Sequence, residues 1–427
     1  MGFEHYMHQA ALANRLVVQP RMGFSPVKAM RNGLREVKSA EAVPRIGTVT
    51  VDAYTRVGQI EQASAALREQ RDLNGFPIVS HGPEVTRHML DDLRDASFPV
   101  QVRHGTAFPQ AIFEAAAASG FDAIEGGPIS YNLPYSRAPL DRTVEAWIVA
   151  SRYWAEYGQR EGIAAHLETF AGCMLGQLCP PGLLVALSIL EGLFFVENGI
   201  RHLSLSLAQG TSDDQDVGAV LALRRLAESY FAGASWHIVY YTFMGLFPQT
   251  LRGAEAIIRA SARIAAKGGA QRLIVKTAAE AYGIPTIEQN VQALKWARQE
   301  ADAADRSISP EAESWSDTVS REAQSLISAT RASGRTIAEA LVAAFQSGLL
   351  DVPYCIHPSN RNVARTVVDP ETAALRWGTT GAMPITQQDH GCRLSELSSA
   401  EFHDIINLNR RRYDIYQDSS DGGIEDA

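Results

Sequence analysis

Three arginines, Arg21, Arg56 and Arg103, each stand just after a short apolar run, in 19-QPRMG, 51-VDAYTR and 101-QVRHGT. A guanidinium can hold a carboxylate or a phosphate through paired hydrogen bonds. His104 follows Arg103 directly. Another apolar run leads into 122-DAIEGGPISYNLPY, where Glu125, Tyr131 and Tyr135 share a stretch too rich in Gly and Pro for a helix. Glu168 lies in 166-HLETF and Lys276 in 274-IVKTAAEAYGIPT. Three guanidiniums, a carboxylate and phenols suit a small dianion that also carries an amine, such as an acidic amino acid or a hydroxy diacid. Lys276 needs a partner at the end of an apolar run, and by residue type it could form a Schiff base as in barrel aldolases. Each residue alone has a plainer explanation. A strand-end arginine is often a surface ion pair, Tyr131 could be core, His104 structural, and Glu168 an arginine's partner.

For these residues to meet, the runs before them must be strands that end on one face. Nine candidates qualify: 16-LVVQP, 46-IGTVTV, 77-PIVS, 98-FPVQV, 122-DAIEG, 163-IAAHLE, 202-HLSLSL, 236-WHIVYYT and 272-RLIVK. Helical stretches such as 57-VGQIEQASAALREQR and 251-LRGAEAIIRASARIAAKG lie between most of them. Strand–helix alternation means parallel pairing through βαβ units. The pattern predicts an α/β fold, a (β/α)8 TIM barrel, with one of the nine strands overcalled. A doubly wound open sheet is the rival, but no GxGxxG follows the first strand. In a barrel the strand C-termini carry the chemistry, which is where the residues above fall.

The barrel is expected over 1–290. Residues 291–417 form a helical, then irregular, C-terminal region packed on the barrel or on a partner, and the acidic 418–427 a disordered tail. The 427 residues are 46% hydrophobic and 20% charged, enough for a large core. The net charge of −9 is spread out and the basic residues form no stripe, which excludes a nucleic-acid platform. The run 182-GLLVALSILEGLFFV is short for a bilayer and carries Glu191, so it reads as a buried core helix and not a membrane span. The start, MGFEHYMHQA, has no apolar signal segment. Cys173, Cys179, Cys355 and Cys392 show no metal or disulfide spacing, and reduced thiols in a cytoplasmic protein are expected.

The ordered set QPRMG, VDAYTR, LNGFP, RHGT, EGGPISYNLPY, FMGLFPQ and IVKTAAEAYGIPT resembles the large (epsilon) subunit of glutamate mutase, also called methylaspartate mutase, from about residue 15 to 290 and more weakly to about 410. The resemblance implies an adenosylcobalamin-dependent isomerase that interconverts L-glutamate and (2S,3S)-3-methylaspartate by a radical route. It implies a barrel whose mouth meets a small cobalamin-binding subunit, with large subunits paired in a heterotetramer. On matching positions, Arg21, Arg56 and Arg103 hold the substrate carboxylates and His104 lies beside them. Glu125 faces the amine, and Tyr131 and Tyr135 line the pocket. Glu125, Arg103 and Glu168 are the expected catalytic group. Gly23, Asn74, Pro134, Phe247, Lys276, Glu280 and Ile284 contact the cofactor, with Lys276 and Glu280 near the adenosyl ribose. Lys276 then positions a nucleoside and makes no imine. No metal is held by the chain itself, since cobalt sits in the corrin.

None of the eleven histidines has Gly three residues later, so the Asp-x-His-x-x-Gly cobalamin-ligand pattern is absent and the partner subunit is needed. The chain departs from the family where Tyr241 replaces a common histidine, where Leu246 replaces a glycine, and where TFAG follows Glu168 in place of a proline-containing turn. Its N-terminal extension is short. These differences bear on cofactor geometry more than on substrate class. A compact form points to a biosynthetic homologue.

Overall fold

The computed structural model describes residues 2–41, 43–174, 176, 178–386 and 399–415. Eight parallel strands form the centre: β1 (Val17–Pro20), β2 (Gly47–Thr50), β3 (Val100–Arg103), β4 (Ala123–Glu125), β5 (His166–Glu168), β6 (His202–Ala208), β7 (Ser235–Tyr241) and β8 (Arg272–Val275). Their order is β1-β8-β7-β6-β5-β4-β3-β2. The β1–β2 seam is drawn together by a parallel bridge between Val18 and Arg45, Val18 N donating to Pro44 O at 3.0 Å. The chain is a (β/α)8 barrel. Its strands are buried on both faces, as covered parallel strands must be.

The overcalled strand is 77-PIVS. It forms a single helical turn, Ile78–His81, with His81 N donating to Pro77 O at 2.9 Å. Proline's fixed φ suits the entry to such a turn, and Gly82 at φ +80° ends it before the helix Pro83–Leu90.

Helices cover the barrel between the strands. Leu251–Gly268 begins where the Thr250 hydroxyl accepts from Gly253 N and ends at left-handed Gly269, φ +77°. The helix Pro181–Glu197 is apolar on all sides and is buried between β6 and the helix Pro310–Arg331, as expected of the run containing Glu191. The helix Phe3–Leu12, not anticipated from the sequence, covers the N-terminal end of the barrel, with the Arg272 guanidinium 5.3 Å from the Phe3 ring.

Beyond the barrel run the helices Ile287–Ala303, Pro310–Arg331 and Ile337–Ser347. The following segment, expected to be irregular, also contains an antiparallel pair, β9 (Arg365–Val368) and β10 (Leu375–Thr379), too short to show an alternating pattern. The Asp351 carboxylate organises the approach to it, accepting from the backbone N–H of Asn362, Val363 and Ala364 at 2.7 Å each. A last helix, Ser399–Ile415, packs on Leu251–Gly268. The expected tail 418–427 and Cys392 lie outside the described residues. Among the described residues no helix is long and apolar enough to cross a membrane.

Candidate active site

β3 ends in Arg103 and β4 in Glu125, so the two side chains leave neighbouring strands at the same end of the barrel. Arg103 Nε donates to Glu125 Oε2, and both side chains are almost wholly buried, at 4% and 1% exposure. Burial opposes the Arg103 charge, but Glu125, with Tyr241 and Tyr131 nearby, holds its pKa well above the ordinary value. Among the described residues its buried Nη1 has no hydrogen-bond partner. The other Glu125 oxygen accepts from the Tyr131 hydroxyl. Tyr241, the last residue of β7, donates toward Glu125 Oε2 at 2.8 Å and also contacts Glu168 Oε1. Burial and the nearby carboxylates push both phenols well up, so they remain protonated donors.

His104 lies against this group, its ring stacked 5.8 Å from Trp147 and edge-on to Tyr131 at 4.8 Å. Burial and the positive Arg56 and Arg103 lower its pKa to about 3, so the ring is neutral. Its Nδ1 accepts from Thr106 N at 3.3 Å, which places the ring hydrogen on Nε2. That nitrogen is buried and has no side-chain hydrogen-bond partner among the described residues.

Arg56 follows the Asp52 cap, whose carboxylate accepts from Tyr54 N and Thr55 N. Its Nε donates to Val51 O at 2.7 Å, and among the described residues no carboxylate pairs with its head. Burial and the nearby Arg21 and Arg103 depress its pKa, while Tyr131 and Tyr135 offset them. Arg21 instead reaches Glu280, with Nη1 at 2.9 Å from Oε1. Lys276 Nζ stands 3.6 Å from the same oxygen and 5.2 Å from the centre of the Phe247 ring. Burial lowers the Lys276 pKa to about 8, with Arg21 and Arg103 adding to it and Glu280 opposing.

The mouth therefore carries four cations, Arg21, Arg56, Arg103 and Lys276, against three carboxylates, Asp52, Glu125 and Glu280. The surplus is one positive charge. The carboxylate set beneath it is neutralised separately: fully buried Glu168 pairs with fully buried Arg272. Burial opposes the Glu168 charge, but Arg272 and Tyr241 hold its pKa down. Arg272 also donates to Gln101 at 2.9 Å and Ser204 at 2.9 Å, so the barrel interior is a hydrogen-bonded plug with no oil-like centre.

The structure thus brings Arg21, Arg56, Arg103, His104, Glu125 and Tyr131 together at the strand ends. Tyr135 joins them through an edge-on contact with Tyr131 at 5.9 Å and is half exposed. Glu168 sits deeper and is paired with an arginine. Gly23 packs where a Cβ would lie 2.4 Å from Thr50 O. Asn74, Pro134 and Ile284 stand exposed on the connections after β2, β4 and β8. Sequence reasoning noted Tyr241 only as a departure and missed Arg272; the signals were a tyrosine ending one apolar run and an arginine opening another. Glu4, His166 and His237 bring one ligand atom each within 4.8 Å of one another at the opposite end of the barrel. His237 Nε2 accepts from Arg272 Nε at 3.2 Å, and a guanidinium so placed repels a cation.

Residues 1–404 match the family described as methylaspartate mutase E chain. The chain belongs to that family. The glutamate mutase epsilon subunit of Escherichia coli O157:H7 is 33% identical over 382 residues, covering 86% of this chain and 78% of that protein. The protein of the same name from Yersinia enterocolitica is 33% identical over 400 residues, covering 90% and 81%. That from Haloarcula marismortui is 31% identical over 408 residues, covering 92% and 82%. Membership in the methylaspartate mutase E chain family makes the chain a glutamate mutase large subunit and a mutase-type isomerase.

Proposed function

We propose that the chain is the catalytic large subunit of an adenosylcobalamin-dependent carbon-skeleton mutase that interconverts L-glutamate and (2S,3S)-3-methylaspartate. The observation that carries this reading is the surplus of one positive charge at the mouth, with no carboxylate on the Arg56 head and no hydrogen-bond partner on buried Arg103 Nη1 among the described residues. L-Glutamate, with two carboxylates and one ammonium, supplies the one missing charge, and a guanidinium fork fixes the orientation of each carboxylate. Arg21, Arg56 and Arg103 hold those carboxylates. Glu125 faces the ammonium, and neutral His104 donates from Nε2. Tyr131 and Tyr135 wall the pocket, Tyr131 keeping Glu125 in place. Glu168 acts through Tyr241, as a positioning residue.

The mouth also fits the family's cofactor. Glu280 and Lys276, 3.6 Å apart beside Phe247, offer a carboxylate and an ammonium suited to ribose hydroxyls. Gly23, Asn74, Pro134 and Ile284 stand on the neighbouring loops. When bound, adenosylcobalamin supplies the radical chemistry. The protein's own residues orient the diacid and exclude water. Exposed Phe108, Tyr135, Leu246 and Ile284 on the loops after β3, β4, β7 and β8 give an apolar rim for a small cobalamin-binding subunit. Pairing of large subunits in a heterotetramer, a cytoplasmic location, and a barrel unit over 1–290 with a C-terminal region packed on it complete the reading.

Titration calorimetry of the assembled complex tests the charge match. L-Glutamate should bind at least tenfold more tightly than L-glutamine, which lacks one carboxylate. Equal binding of the two contradicts the reading.

A further inference from the structure

Glu191 lies in the middle of the apolar helix Pro181–Glu197 with no exposed surface. No cation pairs with it among the described residues. Its carboxylate accepts five hydrogen bonds instead. Three come from the loop after β4: Ile129 N at 3.1 Å, Ser130 N at 2.9 Å and Ser130 Oγ at 3.0 Å. Two come from the loop after β5: Phe170 N at 3.3 Å and Ala171 N at 3.1 Å.

Both loops turn sharply at these points. In the first, Tyr131 N donates to Gly127 O at 3.1 Å, and in the second the 3-10 turn Ala171–Cys173 begins. Such turns leave N–H groups unsatisfied at their starts, and an anion is the natural acceptor. A carboxylate has two oxygens with room for several donors, so one side chain serves both loops. Glycine makes the approach possible: a Cβ on Gly127 would lie 2.1 Å from the Glu191 carboxyl carbon. The loops are tied to each other as well, Gly126 N donating to Glu168 O at 2.9 Å.

We propose that Glu191 is a positioning residue that clamps the β4 and β5 loops, aiming Tyr131 at Glu125 and setting Glu125 and Glu168 on either side of Tyr241. The inference rests on the reading of the mouth as the glutamate site. Glu191 touches neither substrate nor cofactor. It acts through the turns whose amides it holds. An isosteric amide keeps one acceptor oxygen but presents an NH2 group to donors, so one of the two loops loses its acceptor.

The test compares the parent chain with Glu191→Gln, Gly127→Ala and Leu187→Ala, each assembled with the small subunit and adenosylcobalamin. Leu187 is buried one turn before Glu191 and makes none of the five hydrogen bonds, so its truncation leaves a cavity with every donor to the carboxylate in place. Glu191→Gln and Gly127→Ala should each lower kcat/KM for L-glutamate at least tenfold while melting remains cooperative. They should also speed amide hydrogen exchange at least tenfold in 126–131 and 169–171. Leu187→Ala should lower the melting temperature and keep kcat/KM within twofold. Glu191→Gln with parental kcat/KM, or with a loss that merely tracks its melting temperature as in Leu187→Ala, overturns the clamp. A parent complex that does not turn over L-glutamate overturns the reading of the mouth and the inference with it.

Discussion

Arg103 and Glu125 form an ion pair buried between the ends of β3 and β4, and Nη1 of the same guanidinium has no hydrogen-bond partner among the described residues. One side of the fork is spent on a fixed carboxylate and the other is left for a ligand. Arg103→Lys keeps the charge and loses the fork. A single ammonium cannot reproduce the two fork directions that reach Glu125 and a substrate carboxylate, so kcat/KM for L-glutamate should fall by about 10–100-fold, on the order of 1.5–3 kcal/mol for a charged hydrogen bond. Steady-state kinetics of the assembled enzyme measures this.

Tyr241 places one hydroxyl between two buried carboxylates. Tyr241→Phe keeps the ring and removes the donor, leaving Glu125 and Glu168 facing each other. Loss of one buried donor to a charged partner should cost about 1–3 kcal/mol. Urea unfolding should show a lower midpoint with an unchanged slope. An unchanged midpoint would mean that the hydroxyl is not part of the network.

His104 is neutral when folded, with a pKa of about 3, because burial and two arginines disfavour its cation. An unfolded histidine titrates near 6.5. Between these values the unfolded chain binds a proton that the folded chain refuses, so this group makes stability fall as pH drops below about 6.5. His104→Gln should flatten that part of the acid limb, read as a smaller change in urea midpoint between pH 6.5 and 4.5 than in the parent.

Lys276 behaves in the same sense on the alkaline side. Its folded pKa is about 8, and a free lysine titrates near 10.4. Between the two the unfolded state holds the extra proton, so the Lys276 contribution to stability rises with pH, at most about 1.4 kcal/mol per unit. Lys276→Met should abolish that increment in melts between pH 8 and 10. Borohydride with a keto diacid should leave no adduct on Lys276, because Glu280 lies 3.6 Å away and holds the ammonium. A reduced adduct there would favour an imine-forming lyase.

The barrel was legible because its strands are apolar runs at near-regular intervals, and the site because Arg21, Arg56, Arg103 and Glu125 all stand at the ends of such runs. The run 77-PIVS misled for the same reason: four apolar-leaning residues cannot by themselves distinguish a strand from one helical turn. Arg272 was hidden because it opens a strand that otherwise reads as core, and its partners Gln101, Glu168 and Ser204 come from three other strands. Glu191 could be placed in a buried helix but not given a role, since the amides it serves are 20 and 61 residues away in sequence. Contacts of that kind belong to tertiary closure, which no local pattern encodes.

The most direct measurement is NMR of 13C-labelled L-glutamate incubated with this chain, a small cobalamin-binding subunit and adenosylcobalamin. The account predicts that 3-methylaspartate signals grow only when all components are present, and are lost when Arg56 is replaced by Met. Product formed by this chain alone without cobalamin, or undiminished in Arg56→Met, would contradict it.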